Sequence, residues 1–225
     1  MDGEGGREAL PWPPSNEVIT RTLTVDPYAP QLSVLHEAIS LLWHGRLVAF
    51  PTETFYGLGA HALDAEAVER VFAAKGRPSE KPLIVLVESP AMAERLSRGI
   101  SARARELMAR YWPGPLTLVL LAADELPPPV TGGTGTVGVR IPGHPLALAL
   151  VRAAGIPITA PSANVSGADP PTTAEEVRAG LGGRIDLILD GGPTAGGLAS
   201  TIVDVTREPP RVLRAGAIEV TGLIR

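Results

Sequence analysis

Cysteine is absent from the 225 residues, which removes disulfides, thiolate metal sites and cysteine nucleophiles together and accords with a reducing compartment. Aromatic residues make up 4%, too few for the stacking platforms on which single-stranded nucleic acids bind. The four histidines, His36, His44, His61 and His144, show no ligand spacing such as HExxH, so no tightly bound protein metal is expected. Long apolar runs are missing too: each is broken by Gly, Pro or charge well short of the roughly 20 residues a membrane span requires. The opening MDGEGGREALPWPPSNE has acids and prolines where a secretory signal would have basic residues and then an apolar stretch, which predicts a cytoplasmic protein with no membrane contact. A formal net charge of −4 argues against an autonomous high-affinity nucleic-acid binder, although a local basic face can persist within an acidic total.

What is present is a globular composition. With 44% hydrophobic and 20% charged residues, the chain can bury the core of one α/β domain, and no linker or fixed-period repeat divides it. Residues 1–15, rich in Gly and Pro, are expected to form a flexible tail and 16–225 a single domain. Leu32, Leu35, Ile39 and Leu42 recur at helical steps ahead of Gly45, and LVAF at 47–50 reads as a strand, followed by a loop, PTETFYGLGAHAL. Asp64 can cap a helix that buries Val68, Val71 and Phe72 and ends near Lys75 and Gly76. LIVLV at 83–87 reads as a strand, Ser89-Pro90 and Ser101 as the starts of two helices, and LTLVLLA at 116–122 as a fully buried strand. A strand TVGVRIP, a helix over 144–154, a strand IPIT, a Thr173/Glu176 capping box and the strands DLIL, STIVDV and RVLR follow. The last two lie too close together for a helical crossover. The expected fold is therefore α/β, a twisted open mixed sheet, parallel and antiparallel, with flanking helices.

Polar residues cluster at the ends of these strands. PTETFYGLG crowds Thr52, Glu53, Thr54 and Tyr56 behind a strand's carboxyl end, where open α/β sheets bind ligands, although a turn with self-satisfied threonines accounts for the same residues. KGRPSEKPL gathers Lys75, Arg77 and Lys81 at a helix C-terminus, either to complement the helix dipole, typically by about 0.3–1 kcal/mol, or to receive a phosphate. Thr136 and Arg140 fall on one face of their strand, and a buried arginine there needs an anion, whether a neighbouring carboxylate or a substrate. The glycines before that strand are not a nucleotide loop: no Walker lysine follows, and no GxGxxG opens a helix. In PSANVSG, Ser162 and Asn164 can form a turn or hydrogen-bond a ligand, and without a GxSxG elbow a serine hydrolase is disfavoured. Ser200 begins STIVDV and Arg214 ends RVLR, adding a hydroxyl and a cation.

In this order PTETFYGLG, KGRPSEKPL, TVGVRIP, PSANVSG, STIVD and RVLRAGAI resemble the threonylcarbamoyl-AMP synthase family, the YrdC/TsaC-type domain, from about residue 30 to 217. The resemblance implies a YrdC-like fold. It also implies a nucleotidyltransferase that converts L-threonine, bicarbonate or CO₂ and ATP to threonylcarbamoyl-AMP and pyrophosphate. Downstream threonylcarbamoyl-transfer proteins would then modify the adenosine next to the anticodon of tRNAs that read ANN codons. By the same likeness Lys75 and Arg77 would be catalytic and bind ATP, Thr136, Ser162, Asn164 and Arg214 would contact ATP or the adenylate, and Thr54, Arg140, Ser200 and Tyr56 would hold threonine. Mg²⁺ would be carried in by the nucleotide. Many relatives have His or another polar residue near Leu86, so one threonine contact is expected to be missing or replaced. The chain resembles a short form without an additional C-terminal domain. A weak contact with tRNA or double-stranded RNA stays open, and the alternative function is an RNA-binding or ribosome-associated accessory protein of the same fold without synthase activity. A carbamoyl-adenylate-forming relative, built into larger proteins with cysteine motifs, fits a cysteine-free chain poorly.

Overall fold

Residues 18–220 are described in the computed structural model, and the tail expected over 1–15 lies outside them. The chain runs β1 (Arg21–Thr24), α1 (Leu32–Trp43), β2 (Val48–Pro51), β3 (Tyr56–Gly59), α2 (Ala65–Lys75), β4 (Ile84–Leu86), α3 (Pro90–Arg95) and α4 (Ala102–Tyr111). It continues β5 (Leu116–Leu121), α5 (Pro128–Thr131), β6 (Thr136–Arg140), α6 (Pro145–Ala154), β7 (Ile158–Thr159), α7 (Ala174–Leu181), β8 (Leu187–Asp190), β9 (Thr201–Asp204) and β10 (Arg211–Arg214).

Helix ends fall where the side chains can satisfy the free backbone groups. Asp64 accepts from the amides of Glu66 and Ala67, and α2 stops at Gly76, whose φ of 57° is the left-handed conformation glycine takes at least cost. Ser89 and Ser101 cap α3 and α4, and Thr173 and Glu176 close both bonds of a capping box on α7.

The strands form a four-stranded sheet in the order β1-β8-β2-β3 and a six-stranded sheet in the order β10-β9-β5-β6-β4-β7, both mixing parallel and antiparallel pairs. Backbone bonds from Leu58 N to Pro161 O (2.8 Å), Thr159 N to Ala60 O (3.0 Å) and Ala163 N to Tyr56 O (2.8 Å) stitch β3 to β7. Thr159 Oγ1 completes the seam, accepting from Ala60 N at 2.9 Å and donating to Leu58 O at 3.0 Å. The two sheets therefore behave as one twisted open surface. Gly59 sits where this surface is tightest, since a Cβ there would lie 2.7 Å from Phe50 Cε1 and 2.9 Å from Ile158 Cγ2.

Two apolar clusters cover the sheet. One joins α2 and α4 to β5 and β6 through Val68, Val71, Phe72, Leu107, Leu118 and Val139. The other seats α1 and α6 on β2 and β8 through Leu35, Leu42, Phe50, Leu146, Leu150 and Leu187. At about 1.5–3 kcal/mol for each such side chain fully buried, these clusters fix the positions of the strand ends.

The fold departs from the sequence reading in detail. β1 was not expected, because RTLT offers one apolar residue; it is held by parallel pairing with β8. β3 falls in the expected loop, since four residues with two glycines give a weak strand signal; it is a strand because it pairs antiparallel with β2. α5 occupies part of the Pro- and Gly-rich segment after β5. Leu32, assigned to the buried face of α1, is 72% exposed, and β5 is not buried throughout, because Leu121 is 46% exposed at its end.

Candidate active site

Strand ends and the turns beyond them converge on a cavity of about 250 Å³. Thr54 comes from the β2–β3 turn, Tyr56 from the start of β3, Arg77 from just beyond α2, Arg140 from the end of β6, Ser162 from beyond β7, Ser200 from just before β9 and Arg214 from the end of β10. Seven of the ten residues to which the resemblance gives a site role thus line one cavity, although up to 160 positions separate them.

The turn that presents Thr54 is tied internally. Thr52 Oγ1 donates to Phe55 O at 2.7 Å and lies 3.1 Å from Thr54 Oγ1, a hydroxyl turn of the kind these residues form locally. The Tyr56 hydroxyl is committed elsewhere, donating to Gly192 O at 2.7 Å; burial and the neighbouring Asp190 carboxylate raise its pKa. Tyr56 therefore anchors the loop after β8 and presents no free phenol to the cavity.

Arg214 and Ser200 form a second fixed group. Arg214 Nε and Nη2 donate to Ser200 O at 3.0 and 2.9 Å, and Nη2 also donates to Ser200 Oγ at 3.0 Å. Thr117 Oγ1 lies 2.9 Å from Ser200 Oγ. Thr117 is wholly buried on β5 and escaped the sequence reading; its only signal is a hydroxyl in the otherwise apolar LTLVLL. Arg77 donates to Pro82 O at 3.0 Å. Arg140, 3% exposed, lies 3.2 Å from Glu53 through Nη1 and Oε1. Of the two anions left open for Arg140, the neighbouring carboxylate is present as Glu53, and the arginine also lines the cavity.

Burial pulls the pKa of all three cavity arginines below the ordinary guanidinium value. The Glu53 charge opposes this at Arg140, and the Arg140 charge adds to it at Arg214. None of the lining residues is a carboxylate. A cavity walled by three cations, of which Arg140 is buried while Arg77 and Arg214 keep contact with solvent, and by several hydroxyls is suited to a ligand with more than one anionic group.

Lys75, Thr136 and Asn164 lie outside the lining. Lys75 is 2% exposed, and its ammonium donates to the carbonyl of Ser162 and, at 2.6 Å, to that of Asn164. Burial, then the Arg77 charge, pull its pKa down from the ordinary 10.5 to about 8. Asn164 Nδ2 donates to Val165 O and Ala168 O, both at 2.8 Å. Lys75 fastens the segment that carries Ser162 to the end of α2, and Asn164 closes the turn that follows it. Thr136 begins β6, four residues before Arg140, and bonds Thr134 Oγ1 at 2.9 Å. Leu86 is wholly buried in the α1/α6 cluster, and Ile84, on the same face of β4, lines the cavity instead.

Among the described residues no three His, Asp or Glu side chains are grouped to hold a metal ion, and no helix is long and apolar enough to cross a membrane.

The Sua5, YciO and YrdC family profile, described as telomere recombination, matches residues 40–216. A threonylcarbamoyl-AMP synthase from Pyrococcus abyssi is 49% identical over 181 residues, which cover 80% of this chain and 53% of that protein. One from Bacillus subtilis is 50% identical over 190 residues, 84% of this chain and 54% of that protein. The crystal structure of P. abyssi Sua5 complexed with L-threonine superposes with a TM-score of 0.83 at 45% identity, covering 88% of this chain and 57% of that one. The chain spans about half the length of these relatives. With the profile matching most of its length and the fold shared, the chain belongs to the Sua5/YciO/YrdC family.

Proposed function

We propose that this chain makes threonylcarbamoyl-AMP and pyrophosphate from L-threonine, bicarbonate or CO₂ and ATP. The observation that carries the reading is the cavity in which Arg77, Arg140 and Arg214 face Thr54, Ser162 and Ser200. Relatives about half identical to the chain and bearing the synthase name support it.

In this reading the threonine amine captures CO₂, or bicarbonate with loss of water, as a carbamate. A carbamate oxygen then attacks the α-phosphorus of ATP, and the bond to pyrophosphate breaks in line. The protein supplies no nucleophile; it supplies orientation and positive charge where the phosphate oxygens gain negative charge. Arg140 takes the threonine carboxylate, Thr54 and Ser200 its hydroxyl and amine side, Arg77 and Arg214 the phosphates, and Ser162 the nucleotide. Lys75 and Asn164 act through the Ser162 segment, and Tyr56 through the turn it anchors. Mg²⁺ accompanies ATP, held by the phosphates and water. The product passes to threonylcarbamoyl-transfer proteins that act on tRNA.

The test is pyrophosphate release by purified protein with ATP, Mg²⁺ and bicarbonate, comparing L-threonine with L-serine, L-valine and no amino acid. Release that requires both threonine and bicarbonate is expected. No release with any amino acid from folded protein, together with a salt-dependent affinity for RNA, overturns the reading in favour of an accessory RNA-binding role.

A further inference from the structure

Glu53 has no place in the reaction just described, yet among the described residues both of its carboxylate oxygens are buried without a hydrogen-bond partner. Its side chain is 17% exposed and lies behind Arg140, Oε1 to Nη1 at 3.2 Å. Neither carboxylate oxygen meets a hydrogen-bond donor, and Arg140 Nε and Nη1 meet no acceptor. The pair is held by charge at contact distance without an aligned bond. His144 Nδ1 is also buried without a partner, near enough for the Glu53 charge to act on it. The segment that carries His144 covers the carboxylate: a Cβ on Gly143 would lie 3.3 Å from Gly114 Cα and 3.7 Å from Glu53 Cδ. Gly114 N donates to Ile141 O at 2.9 Å and holds that cover in place. Burying opposite charges without full hydrogen bonding costs stability, and a cost retained in the fold calls for a function that depends on it.

What depends on it follows from the neighbouring cations. Of the three guanidiniums on the cavity wall, Arg140 alone has an acidic partner among the described residues. Arg77 and Arg214 present undiminished charge, which favours polyanionic phosphates. Arg140, backed by a carboxylate, presents a reduced field, which favours a singly charged carboxylate on a substrate that also carries an amine. Resting on the proposed reaction, we infer that Glu53 is a positioning residue that sorts the two substrates: it fixes the Arg140 guanidinium at the end of β6 and lowers its net charge, so that the amino-acid carboxylate takes this arginine and phosphate does not.

Glu53→Gln keeps the shape and removes the charge. In the pyrophosphate-release assay the KM for L-threonine is expected to rise at least fivefold and the KM for ATP to stay within twofold. Inorganic phosphate should become a competitor of L-threonine at no more than one-fifth of the concentration that inhibits wild type. A merely structural role would lower the active fraction or both affinities and leave phosphate competition unmoved. A folded Glu53→Gln protein whose threonine KM and phosphate inhibition both stay within twofold of wild type overturns the inference. Glu53→Asp keeps the charge and withdraws it by one methylene; it should raise the threonine KM while phosphate inhibition stays at the wild-type level. If Glu53→Gln does not fold, Glu53→Asp decides the matter, and an unchanged threonine KM then overturns the inference. Wild-type protein that neither binds L-threonine in calorimetry nor releases pyrophosphate refutes the functional reading itself, an outcome separate from any variant.

Discussion

Replacing Lys75 by methionine separates stability from activity. The ammonium is buried and donates to two carbonyls in the segment bearing Ser162, and its pKa is lowered from the ordinary 10.5 to about 8. At about 1.4 kcal/mol for each tenfold change in proton affinity, keeping this group charged in the folded state costs about 3 kcal/mol. In Lys75→Met that penalty disappears, and the stem's apolar packing is largely kept. Opposing it is the desolvation of Asn164 O, left without a donor, about 1–3 kcal/mol; Ser162 O keeps the amide of Asn164 at 3.0 Å. The two effects come close to cancelling, so stability at pH 7 is expected to stay within about 2 kcal/mol of wild type. Activity should not survive so well, because the Ser162 segment loses its fastening and a displacement near 1 Å can cost about 100-fold. The pH dependence follows from linkage. Between about pH 8 and 10.5 the unfolded chain holds a proton on Lys75 that the folded chain does not, so wild-type stability should rise relative to the variant through that window, by up to about 3 kcal/mol. Below about pH 8 the penalty is fully present. Over the same window wild-type activity should fall, as the neutral amine is a weaker donor to the two carbonyls. Urea denaturation of both proteins at pH 7 and pH 10, beside pyrophosphate release at each pH, makes the comparison. Full activity in a folded Lys75→Met protein, or a wild-type stability that falls relative to the variant as pH rises, would refute the reasoning.

Arg77→Ala should lower pyrophosphate release at least tenfold, about 1.4 kcal/mol of transition-state stabilisation, with the Tm little changed; its bonds within the protein are to the Lys81 and Pro82 carbonyls. Normal turnover would remove Arg77 from the phosphate site. Ser162→Ala should weaken ATP binding in calorimetry, and an unchanged affinity would displace Ser162 from the nucleotide. Thr173→Ala removes one arm of the α7 capping box and should cost about 1 kcal/mol by denaturant titration while leaving turnover intact. Gly59→Ala forces a methyl group to within 2.7 Å of Phe50 and 2.9 Å of Ile158, and should destabilise by about 1–3 kcal/mol; a stability equal to wild type would mean that the seam between the sheets is slack.

Elements and motifs that announce themselves locally were legible without a fold. Asp64, Ser89, Ser101 and Thr173 marked helix starts because a capping side chain bonds amides only two or three residues away. The ordered polar motifs located Thr54, Arg77, Arg140, Ser162, Ser200 and Arg214, all of which line the cavity. What the sequence could not rank was direction. Lys75 and Arg77 stand two residues apart, yet one ammonium points inward to the Ser162 segment and one guanidinium lines the cavity, a division decided by how the end of α2 packs against the loop beyond β7. β1 and β3 lacked a strand pattern because their pairing partners lie far off in sequence or across a tight hairpin. Thr117 and Glu53 became meaningful only beside Ser200 and Arg140, across 83 and 87 positions. Composition, caps and motif order thus determined the α/β class, the family and the polar residues of the wall, since those depend on residue type and short-range bonding. Which cations meet a ligand, which carbonyls hold them and which carboxylate stands behind Arg140 were decided by tertiary structure alone, because Coulomb forces and hydrogen bonds act over a few ångströms in space whatever the distance along the chain.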